Sequence, residues 1–209
     1  MKSEENIEDI DWDYIWKKEL GEKKREKKDW NEIADKFGKW IEKDDYPIKL
    51  LNHVKVSPSD SVMDLGCGEG TITIPLAKKS GHLLAVDKSD KMLDSIQAKM
   101  IDEGLSNIIT LRQDILTLNK DNIGQYDVIV ASRSINSAYN MKEVLSNLND
   151  IARKYVYISF YGPNNRKEEN KALEAIGKKV PRKFDEYIII FNLLNSMGIH
   201  PNVINLECE

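Results

Sequence analysis

The sequence predicts an α/β protein whose core is a doubly wound, mostly parallel β-sheet, preceded by an N-terminal helical extension. Short apolar runs alternate along the chain with segments of helical periodicity, which is the pattern of repeated strand and helix units. The runs are almost entirely apolar, as expected of parallel strands buried on both faces. Glycine or an acidic residue stands at the end of several runs, which indicates a ligand site at the carboxyl ends of the strands.

Length and composition limit the classes of protein that fit. The 209 residues suffice for one domain with an appendage. A net charge of -4 and a pI near 5.6 argue against a broad nucleic-acid-binding surface. Two distant cysteines, three scattered histidines and the lack of an apolar signal region or membrane-length run predict no disulfide framework, metal site or membrane association. The expected location is the cytoplasm.

The first 45 residues are strongly charged and contain all four tryptophans. Their apolar residues fall at helical spacings in two groups: Trp12, Trp16 and Leu20, then Trp30, Ile33, Phe37, Trp40 and Ile41. We therefore predict a helical extension over 1–45 and a main domain over 46–209. The aromatic residues either anchor the extension or form a lid in which Trp30 or Phe37 touches a ligand. The basic run over 22–28 is either a solvated face or an RNA contact.

The clearest ligand signal is an apolar strand, Ser61–Leu65, followed by glycines at 66, 68 and 70. A helix is predicted to follow over 71–79. A strand-to-helix bend of this kind needs residues that adopt positive φ and let a ligand approach the backbone. The unpaired N–H groups at the helix N-terminus would face that ligand. Dinucleotides and S-adenosylmethionine are the two ligand classes that use this geometry.

The spacing of the motif distinguishes between the two classes. The dinucleotide fingerprint places glycines at the first, third and sixth loop positions, whereas residue 71 here is Thr and an acid precedes the loop. A carboxylate at that place can accept a hydrogen bond from the ammonium group of a bound amino acid. The pattern Asp64-x-Gly66-x-Gly68-x-Gly70 resembles motif I of the class I S-adenosylmethionine-dependent methyltransferases.

The resemblance implies a Rossmann-like methyltransferase fold that binds S-adenosylmethionine and releases S-adenosylhomocysteine. It covers roughly residues 30 to 206. Within the glycine loop it assigns cofactor contacts to Asp64, the three glycines, Cys67 and Thr71.

A second predicted strand, His82–Asp87, also ends in an acid, 21 positions beyond Gly66. This is close to the spacing at which an acid takes both ribose hydroxyls of an adenosyl group, and Lys88 lies beside it. Ser89 is predicted to cap the next helix. In that helix Met92 either lies against the adenine or belongs to the core.

A third predicted strand, over 107–112, is followed by Asp114 and Ile115. In the family that the sequence resembles, an acid and its neighbour at this place hold the adenine, and the carboxylate takes the exocyclic amine. Asp114 matches the place of that acid. The alternative for Asp114 is a helix or turn cap.

The loop after the fourth predicted strand (126–131) is expected to face the transferable methyl, because ligands in this fold lie past strands one and four. Ser132 is assigned to the cofactor. Arg133 either binds an anionic acceptor or pairs with a nearby carboxylate. The Asn-Pro-Pro-Tyr loop of amino-methylating DNA and protein enzymes and the Pro-Cys pair of cytosine C5 chemistry are both absent from 132–136.

The C-terminal part predicts helices over 141–151, 167–176 and 184–197, a fifth strand over 155–160 and a sixth over 201–206. Class I methyltransferases usually close the sheet with an antiparallel hairpin, of which this sequence supplies one strand. We therefore expect an incomplete hairpin. Either the N-terminus or a partner, such as a second copy in a homo-oligomer, covers the open edge, or the chain is a fragment of a longer one.

The predicted function is in-line methyl transfer to a small-molecule acceptor, favoured by the acidic chain and the absent macromolecular acceptor motifs. Candidates for the acceptor side are His53, Arg133, Tyr139 and Tyr161, and no general base is assigned. Three alternatives stay open: methylation of tRNA, rRNA or protein, a non-catalytic cofactor-binding module, and an NAD-dependent enzyme. A steep fall of activity with salt would indicate an RNA acceptor.

Overall fold

The computed structural model describes residues 10–21, 45–162, 171, 173–178 and 185–208. The helices whose full bounds lie in these ranges are α1 (Trp12–Gly21), α2 (Tyr46–Leu51), α3 (Thr73–Ala77), α4 (Asp90–Asp102), α5 (Lys120–Ile123), α6 (Met141–Ile151) and α7 (Glu186–Ser196). The strands are β1 (Ser61–Leu65), β2 (His82–Asp87), β3 (Ile108–Arg112), β4 (Tyr126–Ser132) and β5 (Ala152–Ser159). A 3-10 turn spans Ile115–Thr117.

The five described strands form one sheet in the order β3-β2-β1-β4-β5, and every described pairing is parallel. β1 is the central strand, since Met63 lies opposite Leu84 of β2 on one side and Ile129 of β4 on the other. It is buried along its whole length, as its apolar sequence predicts. The chain builds β1, β2 and β3 outward in one direction and then returns to add β4 and β5 on the other side. This reversal confirms the predicted doubly wound fold.

The chain divides into two compact units. The first comprises residues 1–24, 139–142 and 160–205. Within it α1 buries Trp16, whose ring meets that of Phe160 edge-on with centroids 6.2 Å apart. The predicted helix through Trp12, Trp16 and Leu20 is therefore confirmed.

The second unit comprises residues 25–138, 143–159 and 206–209 and contains the sheet. Apolar side chains from the strands and from α2 to α4 form its core, among them Leu50, Val62, Leu76, Leu83, Leu93, Ile96 and Val128. The predicted cap of α4 is confirmed, because the Met92 N–H donates to Ser89 Oγ over 3.3 Å.

Three predicted elements need correction. The predicted sixth strand over 201–206 is wrong, because residues 199–208 contain no strand. Val203 and Ile204 are 59% and 56% exposed, and Leu206 packs partly buried against the core, so the segment contributes to the core without pairing with any strand of the described sheet. The fifth strand begins at Ala152, three positions before the predicted start, directly where α6 ends. The helix predicted over 71–79 is shorter, spanning Thr73–Ala77.

Several predictions fall outside the described residues, including the second N-terminal helix and the proposed lid residues Trp30 and Phe37. The boundary at residue 45 and the association through an open sheet edge stay predictions. No helix within the described ranges combines the length and the apolar character that a membrane crossing requires.

Candidate cofactor-binding site

The glycine loop begins where the central strand ends. The N–H groups of Gly66 and Cys67 both donate to the carbonyl of Val86 in β2, over 2.8 and 3.1 Å, so the loop is fastened to the neighbouring strand. Gly66, Gly68 and Gly70 have φ angles of 68°, 53° and 91°, a region that residues with a Cβ rarely enter. The predicted conformational role of the three glycines is therefore confirmed.

Space as well as conformation requires glycine at two of these positions. A Cβ on Gly66 would lie 2.4 Å from Cβ of Ser134, and a Cβ on Gly70 would lie 2.9 Å from Cγ1 of Ile96. Gly66 thus brings the β4 loop into contact with the β1 loop. Sequence reasoning explains the glycines by positive φ and ligand approach and misses this packing between two protein loops.

The carboxylate of Asp87 stands at the end of β2 and orders the turns on both sides of it. Its Oδ2 accepts from the Gly68 N–H over 3.0 Å, and its Oδ1 accepts from the Ser89 N–H over 2.9 Å. The Asp87 carbonyl accepts from the Gln113 N–H over 3.0 Å. Each carboxylate oxygen has a second lone pair with which to accept from a ribose hydroxyl.

Asp64 lies one position before the end of β1 and is only 1% exposed. Its Oδ2 accepts from Oγ1 of Thr73 over 2.7 Å. Burial raises the pKa of Asp64 to about 7, against a lowering by the Thr73 hydrogen bond and with a small further rise from the charge of Asp87. Burial also raises the pKa of the Cys67 thiol, which therefore stays protonated and is not a nucleophile.

The end of β4 carries a second polar cluster. The Tyr46 hydroxyl shares hydrogen bonds with Oγ of Ser132 at 2.8 Å and Oγ of Ser159 at 2.5 Å. Arg133 has φ 51°, and its guanidinium carbon lies 3.6 Å from the centre of the Tyr46 ring. The Arg133 N–H donates to Ser159 Oγ over 3.0 Å. Tyr46 and Ser159 were missed by sequence reasoning, because both are distant in sequence from the loop they hold.

Ser134 provides a further test of the predicted ligand. Its Oγ is buried and has no hydrogen-bond partner among the described residues. A buried hydroxyl without a partner is destabilising, and a polar ligand group beside the loop would satisfy it. This atom, in a loop that lies against the glycine loop, fits a ligand that carries polar groups, such as the amino-acid portion of S-adenosylmethionine.

The other predicted site residues occupy varied environments. Asp114 is exposed, and its Oδ1 accepts from the Leu116 N–H over 3.0 Å, so the turn-cap role is present and the adenine contact stays a prediction. Met92 is 2% exposed, which favours the core alternative. Lys88 is exposed, whereas Thr71 and Ile115 are half-buried, and their cofactor contacts stay predictions.

The acceptor-side candidates are likewise scattered. Tyr139 and Tyr161 belong to the first compact unit and are 56% and 40% exposed. The ammonium of Lys17 lies 5.8 Å from the centre of the Tyr139 ring within that unit. His53 is exposed just after α2. Arg133 is the candidate that the structure places at the carboxyl end of β4.

Comparisons with known proteins agree with this fold. A family model described as "Methyltransferase domain" matches residues 57–203. An uncharacterized protein of Haemophilus influenzae is 31% identical over 164 residues, covering 78% of this chain and 60% of that protein. The chain thus spans about 60% of the length of that relative.

Two further similarities concern parts of the chain or the fold alone. A probable ribosomal RNA small subunit methyltransferase A of Methanosphaera stadtmanae is 28% identical over 83 residues, covering 40% of this chain and 30% of that protein. Magnesium protoporphyrin IX methyltransferase of Synechocystis PCC 6803, solved with bound SAH, superimposes with a TM-score of 0.53 at 20% identity. That superposition covers 80% of this chain and 72% of the other, and it shows a shared fold.

Proposed function

The chain belongs to the methyltransferase-domain family and has the Rossmann-like fold of class I, and from this premise we propose that it transfers the methyl group of S-adenosylmethionine to a small molecule. The observation that carries the proposal is the meeting of three strand ends at the point where the strand order reverses. Gly66 contacts Ser134 of the β4 loop, and Gly68 binds Asp87 of β2. Ligands of doubly wound sheets bind at this crevice.

Each group at the crevice suits one portion of the donor. Asp87 would accept from the ribose hydroxyls, as charge-assisted hydrogen bonds of this kind are strong. Asp64 would accept from the ammonium of the methionyl group, and the Ser134 hydroxyl would donate to a polar group beside the loop. S-adenosylmethionine supplies the reactive methyl on its sulfonium, so the protein needs to bind, align and exclude water.

The acceptor side supports a polar small molecule. Arg133 follows β4 directly, and its guanidinium, stacked on the Tyr46 ring, is a cation that suits a polar or anionic acceptor. The residues 132–136 lack the acceptor motifs of DNA and protein amino methylation. An overall charge of -4 disfavours a broad polyanion-binding surface.

An RNA acceptor is the second candidate, and two observations favour it. Residues 22–28 form a basic run. A relative that is similar to this chain over 40% of its length is a probable ribosomal RNA methyltransferase. RNA contacts made by lysine and arginine would make activity fall steeply as salt rises.

The test begins with titration calorimetry of the purified chain with S-adenosylhomocysteine, where binding is expected. Radiolabelled S-adenosylmethionine is then offered together with a small-solute cell extract or with total RNA. Label in small solutes supports the proposal, whereas salt-sensitive label in RNA would reject the small-molecule acceptor. Binding without transfer to any acceptor fraction would indicate a non-catalytic module. Binding of NAD in place of S-adenosylhomocysteine would reject the methyl donor.

A further inference from the structure

Thr73 is a fully buried hydroxyl residue that begins α3, the helix after the glycine loop. Its Oγ1 donates to Oδ2 of Asp64 over 2.7 Å and so links this helix to the central strand. Neither side chain is visible to solvent, since Thr73 is 0% and Asp64 1% exposed. The hydrogen bond therefore forms in an environment where electrostatic interactions are strong.

The strand residues beside Asp64 offer its carboxylate no polar side chain. Its neighbours in register are Ala85 of β2 and Val130 of β4, which are both apolar and fully buried. Among the described residues, Thr73 is the one that donates a hydrogen bond to this carboxylate. A buried carboxylate that loses its donor takes up a proton more readily.

We propose that Thr73 is a positioning residue for the methyl donor, whose hydroxyl orients the Asp64 carboxylate to accept from the ammonium of the methionyl group. Oδ2 is held by Thr73, and Oδ1 accepts from the ligand. This inference rests on the proposed function, because it requires S-adenosylmethionine as the ligand. Nothing in the glycine pattern points to Thr73, which lies outside the Asp-x-Gly-x-Gly-x-Gly motif.

The charged and titratable groups around Asp64 fix the direction of the effect. Burial raises its pKa to about 7, the Thr73 hydrogen bond lowers it, and the negative charge of Asp87 raises it slightly. The nearby Cys67 thiol is held neutral by burial, which raises its pKa. Removing the Thr73 hydroxyl would therefore raise the pKa of Asp64 further. A protonated Asp64 would no longer attract the ligand ammonium.

The experiment compares Thr73→Val, which keeps the shape and removes the donor, with Thr73→Ser, which keeps the donor. Calorimetry measures the affinity of each for S-adenosylhomocysteine and for 5′-methylthioadenosine, which lacks the amino-acid portion, across the neutral to mildly alkaline range. We expect Thr73→Val to bind S-adenosylhomocysteine roughly tenfold more weakly near neutral pH and to recover as pH rises. Thr73→Ser should match the wild type, and all three proteins should bind 5′-methylthioadenosine equally.

Other results would overturn the inference. An equal loss of affinity for both ligands would mean that Thr73 acts through general packing, and unchanged affinity for S-adenosylhomocysteine would mean that it has no role in binding. If Thr73→Val does not fold, Thr73→Ala removes the same donor by truncating the side chain and is judged by the same criteria. A wild-type protein that binds neither ligand would instead overturn the proposed function itself.

Discussion

The parallel sheet has carboxylates at both ends, and their partners differ. Those at the amino end bind cations, whereas Asp64 at the carboxyl end binds a hydroxyl group. At the amino end, Asp127 of β4 binds Arg153 over 3.1 and 3.2 Å and accepts from the N–H and hydroxyl of Ser61 over 2.9 Å each. Asp60, just before β1, accepts from the Ser57 N–H over 2.8 Å and binds Lys154. At the carboxyl end, Asp64 has a threonine hydroxyl in place of a cation.

The pKa shifts follow this difference in partners. The Arg153 guanidinium and the Ser61 N–H hold the pKa of Asp127 well below its usual range, and the hydrogen bond from Lys154 lowers the pKa of Asp60. Burial raises the pKa of Asp64 to about 7, although it lies only four positions from Asp60. The charged carboxylates at the amino end therefore stabilise the fold. At the carboxyl end, the ionised form of Asp64 is destabilising until a cationic ligand binds it.

The largest expected effect at the carboxyl end comes from Gly66→Val. The new Cβ would meet Cβ of Ser134 at 2.4 Å, in a backbone with φ 68° that valine rarely adopts. Binding of S-adenosylhomocysteine, measured by titration calorimetry, should be abolished.

Gly104→Val is the matched control, because Gly104 also has positive φ, at 63°, but has nothing within 4 Å of an added Cβ. It should lower the thermal unfolding temperature through backbone strain and leave ligand binding intact. Adding Ser134→Gly to Gly66→Val should restore part of the lost stability. Equal loss of binding in the Gly66 and Gly104 variants would show that strain alone, rather than the contact of the two loops, accounts for the result.

The second effect concerns the conflict between stability and binding at Asp64. In the unfolded chain its carboxyl ionises near pH 4, while in the folded protein its pKa is about 7. Between these values the folded state holds more protons than the unfolded state, so stability falls as pH rises and levels off above about 7. Asp64→Asn should remove this dependence and raise the free energy of unfolding at pH 8 by up to about 4 kcal/mol.

The same substitution should weaken the binding of S-adenosylhomocysteine, because a neutral amide does not attract an ammonium group as a carboxylate does. Urea unfolding across a pH series tests the first part, and calorimetry tests the second. A variant that is less stable than the wild type at pH 8 would show that the buried charge is compensated in the free protein.

The third effect belongs to the amino end. Asp127→Ala removes the carboxylate that accepts from the Ser61 N–H and from Arg153, which keeps its bond to Oγ of Ser61, and should lower the free energy of unfolding by ~1–3 kcal/mol. The pKa of Asp127 is lowered in the fold, so its stabilisation is present above about pH 4 and is lost as pH falls further. The variant should therefore show a weaker acid dependence in urea unfolding. Its affinity for S-adenosylhomocysteine should be unchanged, and a large loss would contradict the separation of the two ends.

The sequence predicted much of the carboxyl end because its residues act locally along the chain. The three glycines adopt the positive φ angles that the strand-to-helix bend requires, and Ser89 caps the helix that begins one residue later. The doubly wound parallel arrangement followed from the alternation of strands and helices. The apolar run over 201–206 misled the prediction, since strand formation depends on a neighbouring strand that a single segment cannot reveal.

The parts that sequence reasoning missed depend on residues far apart in the chain. Tyr46 reaches Ser132 and Ser159 across 86 and 113 positions, and Arg153 reaches Asp127 across 26. No local spacing encodes these contacts, because they arise only once β1, β4 and β5 lie side by side. Thr73 differs, since it lies nine positions from Asp64, but its role follows from burial that the sequence does not show.

The smallest loss of stability is expected for Lys154→Gln, and its size shows whether the ion pairs at the amino end are coupled. The Lys154 ammonium binds Asp60 and lies 3.4 Å from Asp127, yet the side chain is 47% exposed. Water replaces much of an exposed cation's contribution, so the urea midpoint should fall by less than in Asp127→Ala, and less still at high salt. A loss as large as that of Asp127→Ala would mean that the two carboxylates and two cations act as one coupled network. The double variant decides between these cases, because independent contributions would add and coupled ones would not.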